Sequence, residues 1–469
     1  MASSQDHVHI LAYPFPSSGH IIPLLDLTKR LVSRGIYVTV LITPSNLPLL
    51  QPLLPSHAPF LQPLLLPDPH QKKLFPLVTA TRHLHYPFLL SWVQSLPSPP
   101  LAIISDFFLG WTLHLARDLR LPRLVFSPSG AFALSFFYSL WRDLPVNPDP
   151  GSADSLISFP NIPNSPLYPW WQINHYYRQK KKGDPEWDFH CENMLDNIAS
   201  WGVVFNTFSD LERVYLNHMK ADLGHDRVWA VGPVLPPKYD DDEGSADRGG
   251  SSSVPCDEVM TWLDSRPACS VIYVCFGSRT VLTSRQMEVL TTALEVSGVQ
   301  FILSVRGPDE RHVGQDVGVI PEEFENRVRG RGLVIKGWSP QLAILGHGAV
   351  GSFLTHCGWN SVLEALIAGV VMVTWPMGAD QYTNAKLIVD EMGAGLRAAE
   401  GITENIPEVA ELSEVIKKSL LENITQRVRA RELNEAALEA VEPEGSSHKE
   451  LDALVKHFLE LREAERCFD

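Results

Sequence analysis

Apolar runs alternate with amphipathic ones along most of the chain, and the alternation repeats in one order. HVHILAYPF reads as a buried strand, GHIIPLLDLTKRLVSRG as a helix with one apolar face, and IYVTVLIT as a second strand. The same unit returns as LAIISDFF, LGWTLHLARDLR and LPRLVFSPS. It resumes farther on as SVIYVCFGS, SRQMEVLTTALEVSG and QFILSV, and again as GSFLTH, CGWNSVLEALIAG and VVMVTW. Short apolar strands joined by helical crossovers predict parallel sheets covered by helices. Between the halves, PPKYDDDEGSADRGGSSSVPC (236–256) is rich in Pro, Gly, Ser and charge and poor in large apolar residues, which predicts a flexible linker. The pattern therefore predicts an α/β protein of two doubly wound, Rossmann-like domains facing a cleft, residues 1–235 and 257–448, followed by a charged amphipathic helix over 449–469.

Composition narrows the partners. The 469 residues are 45% hydrophobic and 20% charged, which suits two sizeable cores. A formal net charge of -15 argues against nucleic acid or an anionic membrane as the main partner. The six cysteines form no CxxC pair, MASSQDHVHILAYPF lacks the basic and apolar regions of a signal peptide, and NLPLLQPLLPSHAPFLQPLLLP is too proline-broken to span a membrane. A cytoplasmic protein without integral membrane association is expected, in which the sequon at Asn423 would go unused. Two motifs are set aside. Asp240-Asp241-Asp242 could carry a metal only on a strand that fixed its geometry, and it lies in the linker. Gly346-His347-Gly348-Ala349-Val350-Gly351 matches a dinucleotide fingerprint, but it follows a helix and precedes a strand, the reverse of the required order.

The chemistry concentrates in THCGWNSVLEAL (355–366), a strand end running into a helix. A helix start offers backbone N–H groups and a positive dipole end to a phosphate. Gly358 allows close approach, and His356, Asn360 and Ser361 can add side-chain donors. No Lys or Arg occurs between 338 and 381, so amides and dipole must neutralise any diphosphate. A structural reading competes: Ser361 and Glu364 match the S-x-x-E capping box. Trp338 can stack on a base, with Gln341 one turn on. Asp380 and Gln381 follow the C-terminal end of a strand, where open α/β sheets bind ligands, and their polar groups suit a polyhydroxylated ring.

WSPQLAILGHGAVGSFLTHCGWNSVLEALIAGVVMVTWPMGADQ, from Trp338 to Gln381, resembles the signature box of plant UDP-dependent glycosyltransferases of secondary metabolism, at the family's length and without a gap. GHIIPLLDL, ISDFFLGW and the FGS at 276–278 are similar to family landmarks in their usual order. The resemblance implies the glycosyltransferase-B fold, with an N-terminal acceptor domain, a C-terminal UDP-sugar domain and a final helix packing back on the first. It implies that Trp338 stacks on uracil and that Ser339 offers backbone groups to the base edge. Gln341 and Glu364 would bind ribose hydroxyls. Ser278, His356, Gly358, Asn360 and Ser361 would surround the diphosphate, and Trp359, Asp380 and Gln381 would face the sugar. The final Gln is similar to glucose-preferring members and so points to UDP-glucose as donor substrate. The chain departs from the pattern at Val371, where Pro is usual, at Ser339, where Ala is usual, and at Ser18, where Gln is common. Val371 raises a question about the sugar-loop geometry.

Transfer to an alcohol needs a base. His20 stands where the first strand meets its helix, a position that favours the neutral imidazole, although a histidine there also serves as cap or core. Asp106 ends another strand of the same domain and can reach the same sheet edge. The family resemblance assigns His20 and Asp106 as a catalytic dyad. The expected reaction is a single inverting displacement, with no cofactor and no metal, from UDP-glucose to a hydroxyl of a phenolic acceptor such as a flavonoid or hydroxybenzoate. SPSGAFALSFFYSLW and SPLYPWWQINHYY carry aromatics for a flat acceptor or for the core; Phe15, Phe107 and Trp141 are the acceptor candidates. A monomer is expected. The rivals are transfer from UDP-xylose or UDP-rhamnose, attack by an aromatic carbon, a non-catalytic UDP-sugar binder and, from the α/β halves alone, a dinucleotide oxidoreductase.

Overall fold

The computed structural model describes residues 8–466 apart from 72, 180–182, 236–251, 310–311, 313 and 402–405. The chain divides into two units, one drawn from residues 1–236 and 439–469, the other from 237–438. Each has its own sheet.

In the first unit the apolar runs become β1 (His9–Tyr13), β2 (Tyr37–Ile42), β3 (Leu61–Leu65), β4 (Ala102–Asp106) and β5 (Arg123–Ser127). A small antiparallel pair comes next, β6 (Leu156–Ser158) with β7 (Leu167–Pro169), then β8 (Gly202–Phe205) and β9 (Val228–Ala230). The seven-stranded sheet is parallel throughout, in the order β3-β2-β1-β4-β5-β8-β9. Alternate residues of β1 supply opposite faces, as the pleat requires. Ile10 and Ala12 join a core with Leu24, Leu27 and Leu31 of the helix Ser18–Val32. Leu11 and Tyr13 join Val78, Leu89, Trp111 and Leu115 on the other face. Each such leucine, fully buried, stabilises the unit by about 1.5–3 kcal/mol.

The last helix, Ser446–Arg466, places Leu451, Leu454 and Phe458 in the first of these cores. The return to the first unit begins at Glu439 rather than 449. That boundary falls inside the helix Thr425–Val441, where no shift in composition marks it.

The second unit is a six-stranded parallel sheet of β10 (Val271–Cys275), β11 (Gln300–Val305), β12 (Gly332–Lys336), β13 (Val350–Thr355), β14 (Val371–Thr374) and β15 (Gly395–Arg397). The order is β12-β11-β10-β13-β14-β15. Its core joins Ile272, Val274, Leu303 and Leu354 of the strands to Leu290 and Leu294 of the helix Ser284–Ser297. A Thr283–Gln286 capping box, passed over in the sequence, starts that helix. Val371 opens β14 in register with Ser352 and is fully buried, so it disturbs nothing. The glycine-rich GHGAVG spans the end of the helix Gln341–Gly346 and the start of β13. Most of the expected linker, with Asp240 to Asp242, lies outside the described residues. Its last residue, Cys256, already begins the helix Cys256–Asp264. Among the described residues there is no helix long and apolar enough to cross a membrane and no group of metal-ligating side chains.

Both sheets reverse direction of growth at one place, between β1 and β4 in the first and between β10 and β13 in the second. Strand ends splay apart at such points, which is where this architecture binds ligands.

Candidate functional site

In the first unit, His20 and Asp106 meet at that reversal. The helix Ser18–Val32 leaves the end of β1 with Ser17 as its N-cap, and the His20 amide donates to the Ser17 carbonyl at 2.8 Å. β1 pairs directly with β4, so Asp106 emerges alongside. His20 Nδ1 lies 2.8 Å from Asp106 Oδ2, with the carboxylate fully buried and the imidazole 18% exposed. The other carboxylate oxygen accepts from the Phe108 amide at 2.9 Å. A carboxylate only accepts, so the imidazole proton sits on Nδ1 and the lone pair on Nε2. The carboxylate thus fixes the orientation of the His20 ring, and in the neutral imidazole Nε2 is the basic nitrogen.

Three rings surround the imidazole. Phe15 meets it edge-on at 5.4 Å, Phe107 lies parallel at 5.9 Å and Phe108 is tilted at 5.0 Å. Phe15 and Phe107, the expected acceptor contacts, are buried and act as walls. Phe108 alone is half-buried. The Phe107–Leu109 turn stacks the two rings 4.2 Å apart with only Phe108 partly exposed, and nothing in the doubled Phe of ISDFFLGW indicates which one that is. Trp141, the third acceptor candidate, lies in the helix Ala131–Asp143, which is buried from Ala131 through Trp141, and its indole packs against Tyr177 and Trp187.

The sequence also passed over Arg123, which is 1% exposed beneath the dyad. Its guanidinium donates to Ser105 and Thr112 hydroxyls, to Ser200, to Asn197 Oδ1, and to the carbonyls of Leu109 and Asp106. Burial pushes its pKa down to about 10. These bonds tie the Asp106 turn to the sheet below it.

In the second unit the turns after β10 and β13 face each other. Cys357 takes φ 65° and Gly277 φ +77°, so both turns use left-handed backbone. The His356 ring lies between two glycines: a Cβ on Gly277 or Gly358 would stand 2.5 or 2.6 Å from its Nε2. Burial lowers the His356 pKa to about 4, so it offers hydrogen bonds and no charge near neutral pH. Its Nδ1 is buried without a partner among the described residues. Ser278, half-buried, follows Gly277.

Gly358 caps the helix Trp359–Ala368 with no side-chain cap bond. The capping-box reading therefore fails. Ser361 and Glu364 lie within the helix and share Gln341 instead, whose Nε2 donates to Ser361 Oγ at 3.2 Å and to Glu364 Oε2. The first-turn amides of this helix point to its N-terminus. The Trp359 ring is 3% exposed, which corrects its expected place against a sugar: the indole belongs to the core, and its amide is the group at the turn. Ser339 likewise turns its hydroxyl inward, 2.7 Å from the Tyr273 hydroxyl.

Trp338 is half-buried, with the Arg306 guanidinium 4.4 Å from the centre of its ring. That contact covers one face of the indole. Past β14, Gln381 Oε1 accepts from the Met377 and Gly378 amides at 2.8 and 3.1 Å, which leaves its NH2 to reach outward. Asp380 Oδ2 accepts from Asn384 Nδ2 at 2.9 Å, and the same nitrogen donates to the Cys357 carbonyl at 3.0 Å. Asn384, also passed over in the sequence, thus ties the His356 turn to the Asp380 loop.

Two doubly wound parallel sheets, one carrying the His20–Asp106 pair and the other the glycine-flanked His356 turn, make the glycosyltransferase-B fold of a sugar-transferring enzyme. The chain belongs to the UDP-glycosyltransferase family and is a UDP-glycosyltransferase. Residues 249–429 match the family model described as UDP-glucoronosyl and UDP-glucosyl transferase. The chain is 48% identical over 471 residues to the flavonol 3-O-glucosyltransferase UGT89B1 of Arabidopsis thaliana, covering 97% of this chain and 96% of that protein. It is 49% identical over 463 residues to UDP-glycosyltransferase 89B2 of Stevia rebaudiana, covering 95% and 97%. Among solved structures, Arabidopsis thaliana UGT89C1 complexed with UDP-L-rhamnose aligns at a TM-score of 0.79 and 34% identity, over 97% of this chain and all of that one.

Proposed function

We propose that the enzyme transfers glucose from UDP-glucose to a hydroxyl of a flavonol or similar small phenol, giving a β-O-glucoside by one inverting displacement. The observation that carries this reading is the His20–Asp106 pair, with Nδ1 protonated and Nε2 bare. His20 Nε2 takes the acceptor's hydroxyl proton as the oxygen attacks the anomeric carbon. Asp106 stabilises the imidazolium that forms. The sugar–phosphate bond breaks and the electron pair leaves on UDP, where the amides at the start of the helix Trp359–Ala368 stabilise the growing charge. Dipole and amides serve in place of a metal. Trp338 stacks on the uracil, Gln341 and Glu364 take the ribose hydroxyls, Asp380 and the Gln381 amide take the sugar, and Phe108 lies against the phenol. We assign the enzyme to the cytoplasm, as a monomer.

A second donor has a specific observation in its favour, since the related UGT89C1 was solved with UDP-L-rhamnose. Glucose is preferred because the flavonol 3-O-glucosyltransferase relative shares 48% identity against 34%. A matrix of UDP-glucose, UDP-xylose and UDP-rhamnose against phenolic acceptors, read by mass spectrometry and by NMR of the anomeric proton, tests the proposal. Glucoside formation in the β configuration is expected. Product from UDP-rhamnose or UDP-xylose alone would overturn the donor assignment, and turnover by His20→Ala would remove His20 as the base.

A further inference from the structure

Beside the donor turn of the second unit runs a line of buried polar groups with one permitted direction. It ends at Glu364, whose carboxylate can only accept. Gln341 must therefore present Nε2 to Glu364, with Ser361 beside it, and Oε1 to the Tyr273 hydroxyl, 3.2 Å away. Tyr273 consequently spends its proton on Gln341, and its oxygen is left to accept. The nearest donor is the Ser339 hydroxyl at 2.7 Å, with Ser304 and the Cys275 thiol also within hydrogen-bonding reach of the phenol oxygen. Ser339 in turn accepts from Ser304 Oγ at 3.0 Å. The direction is thus Ser304 to Ser339 to Tyr273 to Gln341 to Glu364.

The members come from separate elements: Tyr273 from β10, Ser304 from β11, Ser339 from the loop after β12, and Glu364 from the helix after β13. Tyr273, Ser304, Ser339 and Glu364 are all buried, and burial raises the Tyr273 pKa well above its ordinary value, which keeps it a donor. The Cys275 thiol lies beside Tyr273 and Ser304 and is itself kept protonated by burial. In such surroundings each bond polarises the next, and a missing member leaves a buried group unpaired.

We propose that Ser304, Ser339 and Tyr273 are positioning residues that hold the Gln341 amide and the Glu364 carboxylate in the one orientation that reads the ribose hydroxyls, and so set the preference for a ribonucleotide over a deoxyribonucleotide donor. The inference rests on the donor-site reading given above. No residue of the relay besides Gln341 and Glu364 needs to touch the nucleotide.

Calorimetric binding of UDP, 2′-deoxy-UDP and 3′-deoxy-UDP to the full chain tests it. Ser339→Ala and Tyr273→Phe should each weaken UDP by roughly three- to tenfold, the scale of one hydrogen bond, while changing the deoxy analogues by less than about twofold. The double variant should be no weaker than Tyr273→Phe alone, because one chain is broken once. Ser304→Ala should act in the same direction and substitutes for Tyr273→Phe if that variant fails to fold. Equal weakening of UDP and its deoxy analogues, or multiplicative effects in the double variant, would overturn the relay. Gln341→Ala separates the two levels. If it erases the preference for UDP while the relay variants keep it, the site stands and the relay falls. If Gln341→Ala leaves the preference intact, both fall.

Discussion

Asp106→Asn removes a charge and almost no volume, and the hydrogen-bond geometry around the side chain sets its effect. Asp106 accepts two hydrogen bonds, one oxygen from Phe108 N–H at 2.9 Å and the other from His20 Nδ1 at 2.8 Å. An asparagine has one accepting oxygen and one donating NH2. If the oxygen stays with the Phe108 amide, the NH2 faces His20, Nδ1 must become an acceptor and the proton moves to Nε2. The base has then lost its lone pair. If the amide flips to keep the imidazole correct, NH2 faces N–H at the Phe108 side, and a buried donor goes unpaired at a cost of about 1–3 kcal/mol. That cost alone limits the competent tautomer to between about one-fifth and one part in 150. Losing the charge that stabilises the imidazolium adds to it; in a serine-protease triad the same substitution costs about 10⁴ in kcat. A drop in kcat of about 10²–10⁴ is expected, with the affinity for UDP unchanged. Steady-state kinetics with calorimetric UDP binding reads both. Retention of more than a tenth of the wild-type kcat, or a loss confined to the donor KM, would refute the tautomer argument.

Gly277→Ala should weaken UDP binding by about tenfold or more: its Cβ would lie 2.5 Å from the His356 ring, Gly358 leaves that ring no retreat, and φ +77° adds roughly 1–2 kcal/mol of backbone strain. Unchanged UDP affinity in a folded variant would exclude His356 from the diphosphate site. Asn384→Ala removes the side-chain bonds to the Cys357 carbonyl and to Asp380, so it should cost about 1–3 kcal/mol in urea unfolding and raise the KM for UDP-glucose more than the Kd for UDP. Equal changes in both would confine its role to the diphosphate turn. Burial lowers the pKa of His190, which is 2% exposed, to about 4 against 6.5 in an unfolded chain. Above about pH 6.5 neither state is protonated and stability is full. As pH falls toward 4 the unfolded chain takes up a proton the folded one refuses, and stability drops by up to about 1.4 kcal/mol per pH unit. His190→Phe should flatten unfolding curves over that window, and an unchanged slope would contradict the assignment.

Much of the architecture is legible in local pattern. Buried parallel strands are continuous apolar runs and their crossovers are amphipathic, so β1, β2, β4, β5, β10, β11, β13 and β14 stand out in the chain, whereas the half-exposed, proline-bearing β3 and the partly exposed β12 do not. The chemistry-bearing residues stand out too, because His20, Asp106, His356 and the Asp380–Gln381 pair lie at strand ends, where residues of their kind have no packing reason to be. Orientation is harder to read. Phe107 and Phe108 are adjacent and identical in type, yet a single turn buries one and half-exposes the other. Trp359 and Trp141 are large aromatics inside functional-looking segments, and both spend their rings on the core. Ser361 and Glu364 match a capping box by spacing, but the helix begins at Trp359 with Gly358 as its cap, which puts them past the position a cap requires.

What the sequence determined by itself is periodicity and the order of the elements, because hydrophobic pattern and turn chemistry act over a few neighbouring residues. These fix the two sheets, the two strand-end turns and the placement of His20 and the His356 turn on different units. What only the tertiary structure decided is which distant groups share a hydrogen bond. Asp106 meets His20 because β1 and β4 are neighbours in a sheet whose order runs β2-β1-β4. Arg123, Asn384 and Tyr273 acquire their roles by joining elements far apart in the chain, and no local pattern distinguishes them from other buried polar residues. A buried polar group must find its partner wherever the fold has brought one, and that is a property of the packed chain.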